Sequence, residues 1–315
     1  MDDLIFFENG NPLGLIAPST LHADHQGFKY ISGPKGIYRL QDADESSLHD
    51  ALLSAGALIP GTEADITAVQ DALRNPATSR TVSYLLCNAT SCADVVDDLS
   101  ALHDANIVIA GCGGIGSAVA LLLAGGGIKN LTLIDPDVIE KSNLNRQLFW
   151  TLDDIGQPKV STLKKALEQR FEGLSITVEQ CNVTIDDLIE RCTSGVQGLA
   201  VTADSPGTLA SESRRVCEEC NIPVISGSYM HDAMLLFSFI PQNAYPNIQG
   251  NAPRLDWQRL PSSIMPSYGP MNLSLAADIA NRILASLAIN TLNKPIPSIK
   301  KWKIDEVPMI LNLET

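Results

Sequence analysis

The sequence has no apolar run long enough to cross a bilayer; stretches such as Ala118–Ala124 fall far short of the roughly 20 residues a spanning helix needs. Nor does its start, Met1-Asp2-Asp3-Leu4-Ile5-Phe6-Phe7-Glu8, carry the basic region of an export signal. No membrane partner is expected, and the expected location is the cytoplasm. Seven cysteines lie at irregular spacing over 315 residues, which argues against a disulfide framework and for free thiols in a reduced compartment. Positive charge is scarce as well: 22 Lys and Arg face 36 Asp and Glu, a formal net charge of −14. A nucleic-acid partner is not expected, because such binding draws on a basic stripe that releases counter-ions. An anionic ligand would have to be held by a few local cations. Internal repeats and low-complexity segments are absent.

What is present is an ordinary globular mixture, 45% hydrophobic and 18% charged, long enough for one large α/β domain with a smaller companion. Residues 1–75 carry short apolar runs (Leu4–Phe7, Phe28–Ile31, Ile37–Leu40), then an amphipathic stretch from Ser46 to Leu53 and a turn. That pattern predicts a small α+β module of winged-helix type. Residues 76–104 read as a linker with helical pieces. From 105 to 315 strands and helices alternate, the mark of a parallel sheet and a Rossmann-like α/β domain.

The sharpest signal is Ile107-Val108-Ile109-Ala110-Gly111-Cys112-Gly113-Gly114-Ile115-Gly116, a buried strand running through Gly-x-Gly-x-x-Gly into a helix. Gly111, Gly113, Gly114 and Gly116 would let backbone approach a nucleotide, and the helix start offers unspent N–H groups. A tight turn with no ligand is the plainer reading. Asp135 ends the next strand, about 20 residues on, where a carboxylate can accept from ribose hydroxyls; it could equally be a turn acid before Pro136. Beyond it stand Arg146 and, at the start of a helix opened by Pro158, Lys159. A lysine there opposes the helix dipole, so helix stability does not explain it. Two fixed cations suit a leaving pyrophosphate; a solvated surface pair remains open. Asp204 follows a strand in Val201-Thr202-Ala203-Asp204, where a doubly wound sheet presents ligands, and it could also cap the next helix.

Taken together, Gly-Cys-Gly-Gly-Ile-Gly, Ile-Asp-Pro-Asp, Ser-Asn-Leu-Asn-Arg-Gln and Gly-Gln-Pro-Lys-Val resemble the ThiF/MoeB family, which includes the adenylation domains of ubiquitin-activating enzymes. The likeness covers most of 105–290. It implies a ThiF-type adenylation domain that uses ATP and Mg²⁺ to make an acyl-adenylate, releasing pyrophosphate and, later, AMP. By resemblance Asp135 holds the ribose, while Asn143, Arg146, Gln147 and Lys159 surround the phosphates. Asp204 binds Mg²⁺, which decides between its two readings. Family members usually form homodimers in which an arginine ahead of the Rossmann unit reaches the partner's ATP. Arg80, in Thr78-Ser79-Arg80-Thr81-Val82, stands where that residue is expected.

The chain also departs from the family. Many relatives bind zinc through two Cys-x-x-Cys pairs; Cys217-x-x-Cys220 has the spacing but lies in a predicted helix with no second pair, so zinc is not expected. No cysteine follows Cys220 to accept an acyl group as a thioester. Both departures resemble the branch that modifies ribosomally made peptides. On that resemblance residues 1–75 form a peptide-clamp domain for the leader of a precursor peptide, bound by strand addition. The activated group is then a glutamate side chain, captured within the substrate to close a ring. Tyr229 and His231 lie where substrate could approach. Three rivals stay open: a sulfur-carrier or ubiquitin-like protein activator, an NAD-dependent oxidoreductase, and a non-catalytic peptide-binding scaffold.

Overall fold

The computed structural model describes residues 4–8, 10–41, 44–230, 233–241, 266–292 and 299–303. They fall into two compact units, the first formed by 1–104 with 125–127 and 284–294, the second by the remainder.

In the first unit β1 (Ile5–Glu8) and β2 (Asn11–Ile16) are joined by a turn at Gly10, whose positive φ suits glycine. β3 (Leu21–His25), β4 (Phe28–Gly33) and β5 (Gly36–Arg39) form an antiparallel meander of their own. Helix α1 (Glu45–Ser54) begins where the Asp44 carboxylate accepts from Ser47 N–H at 2.7 Å. β6 (Leu58–Pro60) completes a three-stranded sheet in the order β1-β2-β6. Phe6, Ile31, Leu40, Leu52 and Leu58 pack into the shared core. Thr62 and Asp65 form a capping box at the start of α2 (Glu63–Arg74).

The segment expected as a linker, 76–104, is mostly helical: α3 (Ser79–Leu86) and α4 (Cys92–Asp104) bury Val82, Leu85, Leu86, Cys92, Val95 and Leu102. These helices cluster with residues 1–75, and the first unit's main segment ends at Asp104. Residues 284–294 also join this unit, and Asp98 is the reason. Only 1% exposed, its carboxylate accepts from Asn290 N and Nδ2 and from Thr291 N and Oγ1, the last two at 2.7 Å.

In the second unit β7 (Asn106–Ala110) leads into α5 (Gly116–Gly126), then β8 (Asn130–Ile134), α6 (Lys159–Glu168), β9 (Ser175–Glu179) and α7 (Ile185–Cys192). β10 (Gly198–Val201), α8 (Leu209–Glu212), α9 (Arg214–Cys220) and β11 (Val224–Met230) follow. β12 (Ala233–Phe239), α10 (Gly269–Leu287) and the edge strand β13 (Ile299–Lys303) end the described fold. The sequence predicts one helix over Thr208–Cys220, and the structure forms two, α8 and α9, meeting at Ser213. A further strand predicted at Met309–Leu313 lies outside the described residues.

The seven strands run β13-β12-β11-β10-β7-β8-β9, parallel from β11 through β9 and antiparallel across β11-β12-β13. Alternate residues serve the two faces. Val108, Ala110, Leu199 and Val201 join one core cluster with Leu188 and Val216 of α7 and α9, while Ile107 and Ile109 are buried outside that cluster. Chain order reverses between β7 and β10, so the crevice at their carboxyl ends is a topological switch point.

Asp98→Ala leaves four donors without their acceptor and is expected to cost about 2–4 kcal/mol. Urea unfolding of the full chain measures it; a loss below about 1 kcal/mol would show the clamp to be dispensable.

Candidate nucleotide site

The turn after β7 is shaped by backbone crowding at that switch point. Gly111 has φ +95°, and a β-carbon there would run into the backbone of Thr202 and Ala203 after β10. A β-carbon on Gly116 would fall on the Gly111 carbonyl oxygen and on Thr202 Oγ1, which donates to that carbonyl at 2.7 Å. The space beside Gly114 is taken by Asn272 Nδ2. Gly113 differs, because a β-carbon would meet nothing nearer than Gln147 Nε2 at 3.8 Å. Backbone packing therefore demands glycine at 111 and 116, a side-chain amide crowds 114, and nothing crowds 113. A bare backbone facing open space suits close approach by a ligand. The N–H groups of Gly113, Gly114 and Ile115 find no acceptor among the described residues, and they stand at the amino end of α5, where an anion is favoured.

Asp135 directly follows β8, and both its oxygens are engaged with backbone: Oδ2 accepts from Cys112 N–H at 2.6 Å and Oδ1 from Asp137 N–H at 2.9 Å. The carboxylate thus ties the glycine turn to the end of β8. Burial pushes its pKa up, opposed by the Lys159 ammonium and the two N–H groups. The Cys112 thiol is raised well above its usual value, first by burial and then by the Asp135 charge.

Lys159 is 7% exposed, and its Nζ donates to Asp137 Oδ2 at 2.7 Å. Its own N–H donates to Asp137 O at 3.0 Å, beside a Val138–Pro158 bridge and two further backbone bonds between 139 and 156–157. These pairings, not the helix, set the ammonium on Asp137. Asp137, which sequence reasoning missed, gives the buried charge a counter-ion; its signal was an acid two residues past Asp135.

The segment from Glu140 to Trp150 wraps the opening. Asn143 is buried and its Oδ1 accepts from Glu140 N–H at 3.1 Å. Buried Gln147 accepts from Trp150 Nε1 and turns its Nε2 toward Gly113. Arg146 is half-buried and donates to Ser142 O and to Asn145 Oδ1, so its guanidinium rests on its own loop. Asp204 is exposed three residues after β10, and among the described residues nothing pairs with its carboxylate. It caps no helix: Thr208 is the N-cap of α8.

The structure therefore brings together the four glycines, Asp135, Lys159 and Gln147, with the Arg146 backbone beside Gly114. Arg80 is exposed on α3 in the other unit, and no described residue engages its guanidinium. His231 lies outside the described residues. Among those residues no cluster of three or more His, Cys, Asp or Glu could hold a metal, and no helix is long and apolar enough to cross a membrane.

This arrangement, with a strand, a glycine turn, a buried acid and a buried lysine about one switch point, agrees with the profile of the ThiF family, which matches residues 91–306. The chain belongs to the ThiF family. A curated relative, the molybdopterin-synthase adenylyltransferase of Salmonella typhimurium, is 34% identical over 130 residues, 41% of this chain and 51% of the relative. The chain thus spans about half the length of the curated relatives it matches. Solved structures share the fold more widely. The microcin C7 biosynthetic enzyme MccB with N-formylated MccA gives a TM-score of 0.71 at 21% identity, covering 93% of this chain and 97% of that one. E. coli MccB with ATP gives 0.65 at 22% identity, covering 87% and 88%. PaaA gives 0.61 at 17% identity, covering 91% and 96%.

The glycines separate packing from binding in this ThiF-family chain. Gly113→Ala is expected to leave stability within about 0.5 kcal/mol while weakening ATP about 10-fold or more. Gly116→Ala is expected to destabilise by about 1–3 kcal/mol or more through overpacking. Calorimetry of binding and of unfolding on both variants checks the contrast; equal behaviour would contradict it.

Proposed function

We propose that this chain is an ATP-dependent adenylating enzyme that activates a carboxylate, a glutamate side chain, on a ribosomally made precursor peptide. The observation that carries the reading is the open glycine at 113, with unspent N–H groups beside it and a buried lysine ammonium paired with Asp137, two residues past the acid that anchors the turn. Adenylyltransferases among the curated relatives, and MccB solved both with ATP and with a peptide, support it.

In this reading the N–H groups of the turn and Lys159 receive phosphate oxygens, exchanging the Asp137 contact for the ligand. Asp135 adds ribose hydroxyls to the N–H groups it already binds, and Asn143, Arg146 and Gln147 complete the phosphate shell. Asp204 would hold Mg²⁺, which would supply charge neutralisation; a lone carboxylate suits an ion usually bound through one or two carboxylates plus substrate phosphates. The substrate carboxylate oxygen attacks the α-phosphorus, a P–O bond to pyrophosphate breaks, and fixed cations stabilise the charge that develops on the leaving group. Intramolecular capture, releasing AMP, profits from holding both ends in one pocket. The leader is taken by residues 1–75. β3, exposed along its whole length at one edge of its sheet, offers backbone for strand addition. The enzyme works as a homodimer in which Arg80 serves the partner's ATP.

A second reading draws on relatives named sulfur carrier protein ThiS adenylyltransferase. There a carrier protein would replace the peptide, but no cysteine follows Cys220 to relay an acyl group.

Substrate-dependent exchange of labelled pyrophosphate into ATP tests the proposal. Lys159→Ala and Asp204→Ala are each expected to lower the exchange rate by about 10²–10³-fold, the cost of removing one transition-state contact. Exposed Asp204 should leave the melting temperature unchanged. Full exchange in either variant would refute its assignment. NADH binding without exchange would favour the oxidoreductase, and stimulation by a carrier protein the second reading. For the dimer, mixing inactive Arg80→Ala with inactive Lys159→Ala protein is expected to restore exchange, because hybrid dimers contain one site with both residues intact. No recovery despite subunit exchange would remove Arg80 from the site.

A further inference from the structure

Asn272 is an odd residue for its place. It sits in the first turn of α10, whose buried face is largely apolar in Leu275, Ala276, Ile279 and Ile283 with Arg282 further along, yet it is 2% exposed. Burying a carboxamide costs free energy unless its hydrogen-bonding groups are matched. Its Nδ2 reaches Ser267 Oγ only at 3.4 Å, and among the described residues nothing donates to its Oδ1. What the amide does instead is fill the space beside Gly114 in the nucleotide turn.

The other end of the contact leads to β11. Tyr229, next to last in that strand, accepts Tyr268 N–H on its phenol oxygen at 2.9 Å and shares a hydrogen bond with Ser267 Oγ at 3.1 Å. Asn272 N–H donates to Tyr268 O at 3.1 Å. Gly269 approaches the Arg146 backbone, a β-carbon there lying 3.8 Å from Arg146 Cα. One short segment, 267–272, is thus laced at one side to the end of β11 and at the other to Gly114 and the Arg146 loop. None of these contacts lies between regular elements paired in the sheet, so the fold does not need them to set its topology.

We propose that Tyr229, Ser267 and Asn272 form a positioning relay that holds the nucleotide turn at Gly114 in fixed register with the end of β11, where the carboxylate-bearing substrate enters. The proposal rests on the adenylation reading and adds positioning residues to it. Tyr229 acts through the segment it anchors, and Asn272 through the turn it touches. Loss of the phenol oxygen lets the segment drift without emptying the nucleotide site, so it affects alignment for attack more than ATP affinity. A displacement of about 1 Å in a reacting pair can cost about 100-fold in rate.

Tyr229→Phe removes one oxygen and keeps the ring, so folding is preserved; Asn272→Ala and the double variant complete a cycle. The first measurement needs no catalysis: hydrogen exchange in peptides covering 111–121 of the ligand-free full chain, where Gly111, Ser117 and Val119 N–H groups are bonded. Tyr229→Phe is expected to speed exchange there while peptides over β9 stay unchanged. The second is pyrophosphate exchange, with kcat expected to fall about 10- to 100-fold, ATP Kd expected within about 2-fold, and the double variant expected to be no worse than Asn272→Ala. Unchanged exchange over 111–121, an unchanged kcat, or additive losses would each overturn the relay. If the wild-type chain itself neither binds ATP nor exchanges pyrophosphate, the adenylation reading fails, and faster hydrogen exchange in Tyr229→Phe still supports the relay as a link to the turn.

Discussion

The second unit is built around a contact with no room for a side chain. Where β7 and β10 end side by side, the Gly111 backbone lies against Thr202 and Ala203, and Gly116 returns over the Gly111 carbonyl. Thr202 closes the triangle through its hydroxyl. This crowding swings the chain from a strand below the crevice into a helix whose amino end faces it. Everything proposed for the site follows from that direction, because N–H groups aimed the other way could not receive phosphate.

Electrostatics then decides what the crevice tolerates. An unpaired charge in a buried setting is worth about 3–5 kcal/mol against the fold, so Asp135, Lys159 and Asp137 are held as a set. Asp135 spends both oxygens on backbone N–H groups, and Lys159 pairs with a partner whose own carboxylate is largely exposed. That asymmetry matters. Asp137 can give up the ammonium to a stronger anion and remain solvated, whereas Lys159 cannot retreat into water. In a chain with a net charge of −14, a caged local cation offers an anion a place that the bulk charge does not.

Much of this was legible in the residues. Strand-to-helix transitions at Ala110–Gly116 and the acid at 135 follow from apolar runs punctuated by glycine, signals that are local in sequence. The ThiF likeness rests on four motifs in order, and the family profile bears it out. What escaped notice was contact between distant segments. Asp98 reads as one acid among several on a helix, yet it fastens residues 290 and 291 into the first unit. Residues 76–104 look like a connector because their apolar positions are spaced for short helices, and only packing shows where those helices belong. Asp137 was in view but silent, since its pairing with Lys159 depends on a backbone bridge between 138 and 158. Asn272, polar at the head of an apolar helix, was a signal that could have been read as a site residue.

The adenylation reading requires the glycine turn and Lys159 to receive one triphosphate. A crystal structure of the chain with ATP and Mg²⁺ decides this. Phosphate oxygens are expected on the N–H groups of Gly113 to Ile115, with Lys159 Nζ turned from Asp137 to the nucleotide. A bound nucleotide elsewhere, with Lys159 still on Asp137 and those N–H groups bare, would contradict it.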